Sequence, residues 1–244
     1  MMVSPLAVIP KKEPGKFRLI HNLSRPVGSS VNDGIPRDLC TVRYSSVDCA
    51  LRLILRAGRG ALLAKVDIES AFRLLPVHPQ SYPLLGFRFD GAYFYDRCLP
   101  MGCSISCSYF EMFSSFLHWV VVQRAGLDAV VHYLDDFLFI GPADSDDCSR
   151  LKGAFESMAA EFGIPLARDK SEGPVSSLVF LGIELDSENL VTRLPVRSGA
   201  VRQYGSLAIP SFIGPARGPR CVLEVVILGW DIWASGYPGG GNGV

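Results

Sequence analysis

The chain predicts an α+β fold, an antiparallel sheet backed by helices, and three observations carry that expectation. Short β-type runs pair about turn signals, most clearly GFRFDGAYFYDRCL (86–99) around Asp90-Gly91. Two longer stretches, after LPMGCS and after Asp144, place apolar residues at helical spacing. The segments follow one another as strand, helix, hairpin, helix, hairpin.

Composition sets the outer bounds. Over 244 residues, 48% hydrophobic and 20% charged residues describe a folded globular protein with material for a sizeable core. Lys+Arg and Asp+Glu balance at 24 each, which counts mildly against a nucleic-acid binder unless the basic residues cluster. The start, MMVSPLAVIPKK, lacks the charged n-region of a signal peptide, and CVLEVVILGW is too short and too interrupted to span a bilayer. Seven cysteines without a regular framework point to reduced thiols in an intracellular protein, and with no apolar run long enough to span a bilayer no membrane partner is expected. Cys98, Cys103 and Cys107 read as structural thiols, with zinc as an alternative that lacks a fourth ligand.

In chain order, PLAVIP and KFRLI are two extended segments joined by the turn-prone KKEPGK, and a loop GSSVNDGIP (28–36) follows. SSVDCALRLILRAG has Val47, Ala50, Leu51, Ile54 and Leu55 on one helical face, with Ser45 or Ser46 as N-cap and Gly58 as stop. ALLAKVDI (61–68) fits a buried strand ending at Asp67. Beyond the Asp90-Gly91 hairpin, Tyr109, Phe113, Phe116 and Val120 mark a helix that stops at Gly126. VVHYLDDFLFI (130–140) reads as a hairpin with Asp135 and Asp136 at or near its tip. Asp144, Asp146 and Asp147 suit the start of the next helix, whose apolar face is Leu151, Phe155, Met158 and Phe162. VFLGIELDSENLVTRL is a final hairpin. Ser198–Val244 differs in character, with ten of the 24 glycines and two acidic residues, and little cooperative structure is expected there.

Asp135 and Asp136 pose a chemical problem. Adjacent carboxylates in an apolar hairpin repel each other and lose hydration. A strand ending in Asp67 could lie beside them, and three clustered carboxylates need cations. Mg²⁺ suits such a site because it takes oxygen ligands and leaves places for phosphate. Two such ions roughly 3.5–4 Å apart can activate an attacking oxygen and stabilise a leaving one. On these residues alone, an exposed acidic turn fits equally well. His21, His78, His118 and His132 have no spacing that argues for a role.

VDIESAF, LPMGCSIS, YLDD, ARDKSEGP and FLGIELD occur in this order and resemble reverse transcriptase motifs A to E. IPKKEPGKFRLIHNLS is similar to the fingers strands of that family, and the match covers about residues 5–195. The wording of RLIHNLSRPVGSSVNDGI and LPMGCSISCSYFE most resembles tyrosine-recombinase (DIRS-type) retrotransposons. The resemblance implies a right-hand polymerase. Its fingers would be residues 1–64, its palm 65–74 and 97–197 on a ferredoxin-like sheet, with 75–96 a fingers insertion.

It further implies an RNA-directed DNA polymerase that extends a primer on an RNA or DNA template with dNTPs and two Mg²⁺ ions, Mn²⁺ being a substitute. Asp67, Asp135, Asp136 and the carbonyl of Ile68 would serve the metals. Lys170 would be a general acid for pyrophosphate, a surface lysine being the alternative. Lys11, Arg18, Met101 and Gly102 would hold the nucleotide, and Phe72 would close the space of a ribose 2′-hydroxyl, a core phenylalanine being its rival. Tyr133, Phe180, Leu181 and Gly182 would contact the primer. Asn22 departs from the acidic residue many relatives carry there. Nothing after Leu194 resembles a thumb or RNase H domain, so a truncated copy is expected. An RNA-directed RNA polymerase, against which Phe72 speaks, and a non-catalytic remnant are the competing readings.

Overall fold

The computed structural model describes residues 1–11, 15–194 and 207–208. The first hairpin is β1 (Leu6–Pro10) and β2 (Phe17–His21), followed by short 3₁₀ turns and α1 (Val47–Ala57). Next come β3 (Leu62–Asp67), the hairpin β4 (Gly86–Phe89) and β5 (Ala92–Tyr95), and α2 (Ser106–Ala125). The chain continues through β6 (Val130–Tyr133), β7 (Asp136–Gly141), α3 (Asp147–Phe162) and β8 (Glu172–Val175). It closes on β9 (Ser177–Phe180), β10 (Ile183–Asp186), β11 (Val191–Arg193) and β12 (Leu207–Ala208).

The central sheet has the order β6-β7-β3-β8, with every neighbouring pair antiparallel. Both of its faces are covered, which explains why Phe137, Leu138, Phe139 and Ile140 are all fully buried along β7. Ala64, Val66, Phe137 and Phe139 pack against Phe110 and Leu117 of α2 and Leu151, Phe155 and Met158 of α3. Leu63, Leu138 and Ile140 face the other way, onto Ala50 and Ile54 of α1 and onto Leu178, Phe180 and Leu185. No helix among the described residues is long and apolar enough to cross a membrane.

Three expectations need correction. First, α2 buries Ser106, Phe110, Glu111, Ser114, Leu117, Val120 and Val121, not the face marked by Tyr109, Phe113 and Phe116. Phe116 is exposed and stacks on Trp119 and on Phe162, the equally exposed last residue of α3. The helix is apolar on most of its circumference, and buried polar partners for Glu111 and Ser114 decide which side turns inward. Second, β8 was not foreseen, because EGPV holds a glycine and a proline. It forms the sheet edge, where proline is tolerated. A Cβ on Gly173 (φ +85°) would collide with the Leu63 carbonyl and come within 2.8 Å of the Ala64 Cα.

Third, the closing hairpin is a meander, β12-β11-β10-β9, in which β12 pairs with β11. The remainder of residues 198–244 lies outside the described residues. Cys98, Cys103 and Cys107 are free thiols.

Asp186 organises the meander. Its oxygens accept from the Asn189 backbone N–H (2.9 Å), Asn189 Nδ2 (2.8 Å) and Arg193 Nη1 (2.9 Å). The Asn189 bonds first, and then Arg193, hold its carboxyl down at about 2, from an ordinary 3.8. A depressed carboxyl stabilises the fold fully above its unfolded value, and that contribution is lost as pH falls through the folded value. Asp186→Ala is therefore expected to lower the melting temperature by a few degrees at pH 7. The difference from wild type should shrink between pH 4 and pH 2, as followed by circular dichroism melts.

Candidate active site

Sheet register places the acidic residues. Asp67, the last residue of β3, is the direct partner of Asp136, the first residue of β7. Asp135 lies in the two-residue turn between β6 and β7, preceded by Leu134 at φ +52°. The Asp135 carbonyl accepts from Ile68 N–H (3.0 Å), which ties the turn to the chain just beyond β3. Three carboxylates thus meet at one end of the sheet, and the strands that bring them there are fixed by buried hydrophobic side chains.

No side-chain partner for these acids was foreseen, and the structure supplies one. Lys170 Nζ donates to both oxygens of Asp67, at 3.0 and 3.2 Å. Its turn is anchored on the same strand end, since Ala167 N–H donates to the Asp67 carbonyl (2.9 Å). The bond to Asp67 pushes the Lys170 pKa up. One ammonium does not neutralise three carboxylates. Burial, then the charges of Asp135 and Asp67, pushes the Asp136 carboxyl up to about 7. Burial and Asp67 also push Asp135 up, opposed by Lys170 and by Arg18 of β2. Such shifts mark a cluster short of positive charge.

Among the described residues no three carboxylate, imidazole or thiol groups are drawn tightly enough to form a preformed metal cage. The donor set at this end of the sheet is all oxygen, which is the chemistry Mg²⁺ takes, since it keeps waters and is held by one or two carboxylates together with substrate phosphates. Beside the carboxylates lies an open cavity of about 370 Å³ lined in part by Asp67, Asp136, Lys170, Glu172 and Leu181.

The remaining predicted residues fall in several settings. Ser70 adopts a left-handed conformation and starts the 3₁₀ turn Ala71–Leu74, which leaves Phe72 half-buried with its ring edge-on to Phe110 at 5.3 Å. Tyr133 is half-buried and packs on Tyr44 at 4.5 Å. Burial, with Cys107 and Tyr133 nearby, pushes the Tyr44 hydroxyl up to about 12. Lys11 and Arg18 are exposed on the first hairpin. Phe180 is 2% exposed as a residue and its side chain belongs to the core. Leu181 and Gly182 form the turn after it, both at positive φ.

Met101 and Gly102 sit on a loop held against β2. His21 N–H donates to the Met101 carbonyl (2.9 Å), and the backbone at Gly102 has φ +117°. A Cβ there would run into the His21 carbonyl. Asn32 clamps the same loop, donating to the Gly102 carbonyl and accepting from Ser104 N–H, each at 2.9 Å. Asn32 was missed, since an asparagine in a Gly/Ser-rich loop carries no distinguishing signal. Glu111 and Ser114 were missed as well. Glu111 Oε2 accepts from Leu134 N–H (3.2 Å), and Ser114 Oγ donates to the Leu134 carbonyl (2.7 Å), so α2 holds the acidic turn at both backbone groups. Their one legible signal is two polar residues inside a largely apolar helix.

A model of the reverse transcriptase (RNA-dependent DNA polymerase) family matches residues 9–185, well over half of the chain. The chain belongs to the reverse transcriptase family. It is 30% identical over 148 residues to Protein P of a duck hepatitis B virus, a match covering 60% of this chain and 18% of that protein. The genome polyprotein of petunia vein clearing virus is 25% identical over 173 residues, covering 70% of this chain and 7% of the polyprotein. The chain therefore spans a fifth or less of these relatives' length.

Among solved structures, a foamy viral protease-reverse transcriptase in complex with double-stranded DNA superposes with a TM-score of 0.61 at 21% identity, over 76% of this chain and 30% of that one. The same viral enzyme in complex with an RNA/DNA hybrid gives a TM-score of 0.61 at 19% identity, over 80% of this chain and 24% of that one. At this identity the likeness concerns the fold.

The reverse transcriptase loop around Gly102 yields a test. Gly102→Ala forces a side chain into a conformation and a space that exclude it, and should cost about 1–3 kcal/mol in urea unfolding. Gly34→Ala, where nothing lies within 4 Å of the added Cβ, should change stability by less than about 0.5 kcal/mol.

Proposed function

We propose that this chain is the polymerising core of an RNA-directed DNA polymerase that adds deoxynucleotides to a primer 3′-hydroxyl. The observation that carries the reading is the pairing of Asp67 with Asp136 in sheet register, with Asp135 in the adjoining turn, in a chain of this family. The order β3-α2-β6-β7-α3-β8 is the β-α-β-β-α-β pattern of ferredoxin-like sheets and supports the assignment of 65–74 and 97–197 as palm. Residues 1–64 and 75–96 are read as fingers. The wording of residues 18–35 and 99–111 favours a DIRS-type retroelement source.

Asp67, Asp135, Asp136 and the Ile68 carbonyl are the groups that would hold Mg²⁺, or Mn²⁺ in its place. When bound, such ions stabilise charge on the attacking and leaving oxygens of an in-line displacement. The rest of the work falls to this chain's own groups. Lys170, kept protonated by Asp67, is a donor for phosphate oxygens and can hand a proton to departing pyrophosphate. Lys11 and Arg18 meet the triphosphate, Arg18 with forked donors. Met101 and Gly102 present backbone to the base, and Phe72 limits the space beside the sugar. Tyr133, Leu181 and Gly182 line the primer side, and Phe180 anchors the turn that carries the last two from within the core. A template–primer duplex is the expected partner, as in the foamy viral complexes with DNA and RNA/DNA hybrid.

Extension of a DNA primer on an RNA template tests the reading. With dNTPs and Mg²⁺ the chain should extend the primer, and Asp135→Asn should fall to background without loss of folding. Equal incorporation by wild type and variant would sink the proposal, and preference for rNTPs would favour an RNA polymerase. Phe72→Ala should raise rNTP incorporation several-fold relative to dNTP.

Binding can be read separately from turnover. Millimolar Mg²⁺ should raise the melting temperature of the wild type by a few degrees and leave that of Asp67→Asn unchanged.

A further inference from the structure

Four titratable side chains that the proposed reaction does not use stand in line behind the acidic turn. They are Glu111 and His118 of α2, Asp128 of the following loop, and His132 of β6. His132 Nε2 lies 3.2 Å from Glu111 Oε1, and His118 Nδ1 lies 2.9 Å from His132 Nδ1. His118 Nε2 is 3.6 Å from Asp128 Oδ1. The Glu111 and His132 side chains are only 11% and 8% exposed, whereas Asp128 is 70% exposed. Ser115 Oγ, at 3.5 Å from His132 Nε2, is a more distant neighbour. The other oxygen of Glu111 is the acceptor for Leu134 N–H.

Counting protons gives this line a direction. A neutral imidazole has one N–H donor and one bare nitrogen acceptor. Three contacts in series need three protons, and two neutral rings supply two. One contact must therefore go without. A bare ring nitrogen facing the buried Glu111 carboxylate would be costly, while one facing the exposed Asp128 across 3.6 Å is hydrated cheaply. The order that follows is His118 Nδ1–H donating to His132 Nδ1, and His132 Nε2–H donating to Glu111. Burial, reinforced by the His132 ring, holds the His118 pKa below its ordinary value, in keeping with a neutral His118.

We propose that Glu111 is a positioning residue for the Leu134–Asp135 turn, and that His132 and His118 orient it by presenting their donors in this one direction. The consequence for polymerisation rests on the function proposed above, whereas the hydrogen-bond order does not. Glu111 has two acceptor oxygens and spends one on each neighbour, so the Leu134 N–H keeps a fixed partner. An amide at this position would retain that bond and turn its NH₂ toward His132 Nε2. Both rings would then reverse, with His118 Nε2–H donating to Asp128.

The test combines ¹⁵N-histidine NMR, amide hydrogen exchange and single-turnover extension on the full chain. In the wild type, His132 should be protonated at Nε2 and His118 at Nδ1; the opposite order would overturn the proposal. E111A should speed exchange of the Leu134 amide roughly tenfold, leaving the Val131 and Leu138 amides unchanged. It should also lower the extension rate roughly 10- to 100-fold at saturating dNTP, with little change in KM. Faster exchange spread evenly over β6 and β7 would reduce Glu111 to a folding role and defeat the idea. E111Q should restore both Leu134 protection and rate while reversing the two tautomers, and failure to reverse them would defeat it equally. A wild type with the expected NMR pattern that extends no primer would overturn the polymerase reading and leave the turn-holding role supported.

Discussion

The β3–β7 pairing is the constraint on which everything else in this molecule depends. Its register sets Asp67 opposite Asp136, which is electrostatically unfavourable, and the like charges are held there by apolar burial. Phe137, Leu138, Phe139 and Ile140 are all fully buried, and each such side chain contributes about 1.5–3 kcal/mol when removed from water. Against this, a carboxyl displaced from 3.8 to about 7 costs on the order of a few kcal/mol. The sandwich wins by a margin that lets the carboxylates stay close and short of countercharge. The same strands that make the core thus hold the acidic cluster together, short of positive charge.

Much of this was legible in the chain. Residue patterns gave nearly every helix and strand, because α1 and α3 each have a buried apolar stripe, the helices have clear stops at Gly58, Gly126 and Gly163, and turn residues stand at Asp90-Gly91. The meeting of Asp67 with Asp135 and Asp136 could be anticipated from strand ends alone. What could not be read were features decided by distant neighbours. β8 has no strand-like composition and exists because the β3 edge accepts it, with Gly173 permitting the close approach. Phe180 sits in a motif but points inward, since alternation along β9 assigns its side to the core.

The α2 face was misjudged for a related reason. Apolar residues cover most of that helix, so periodicity does not select a side, and specific bonds from Glu111 and Ser114 to the Leu134 backbone do. Likewise, Lys170 lies 103 positions from Asp67 in sequence, and only the folded chain pairs them. Residues with roles defined by backbone contacts, such as Asn32, leave no pattern that composition or spacing would reveal.

α2 also works as a rigid gauge. Its first turn follows directly on the loop that carries Met101 and Gly102, and Glu111 and Ser114, about one and two turns further on, grip the acidic turn. A helix advances by about 1.5 Å and rotates by about 100° per residue. Adding or removing one residue between Ser106 and Ser114 would swing the grip away from Leu134 by more than a quarter turn. The distance along the chain from the Met101–Gly102 loop to the carboxylate grip is thus a measured length, closed to insertion and deletion in a way the exposed hairpin tips are not.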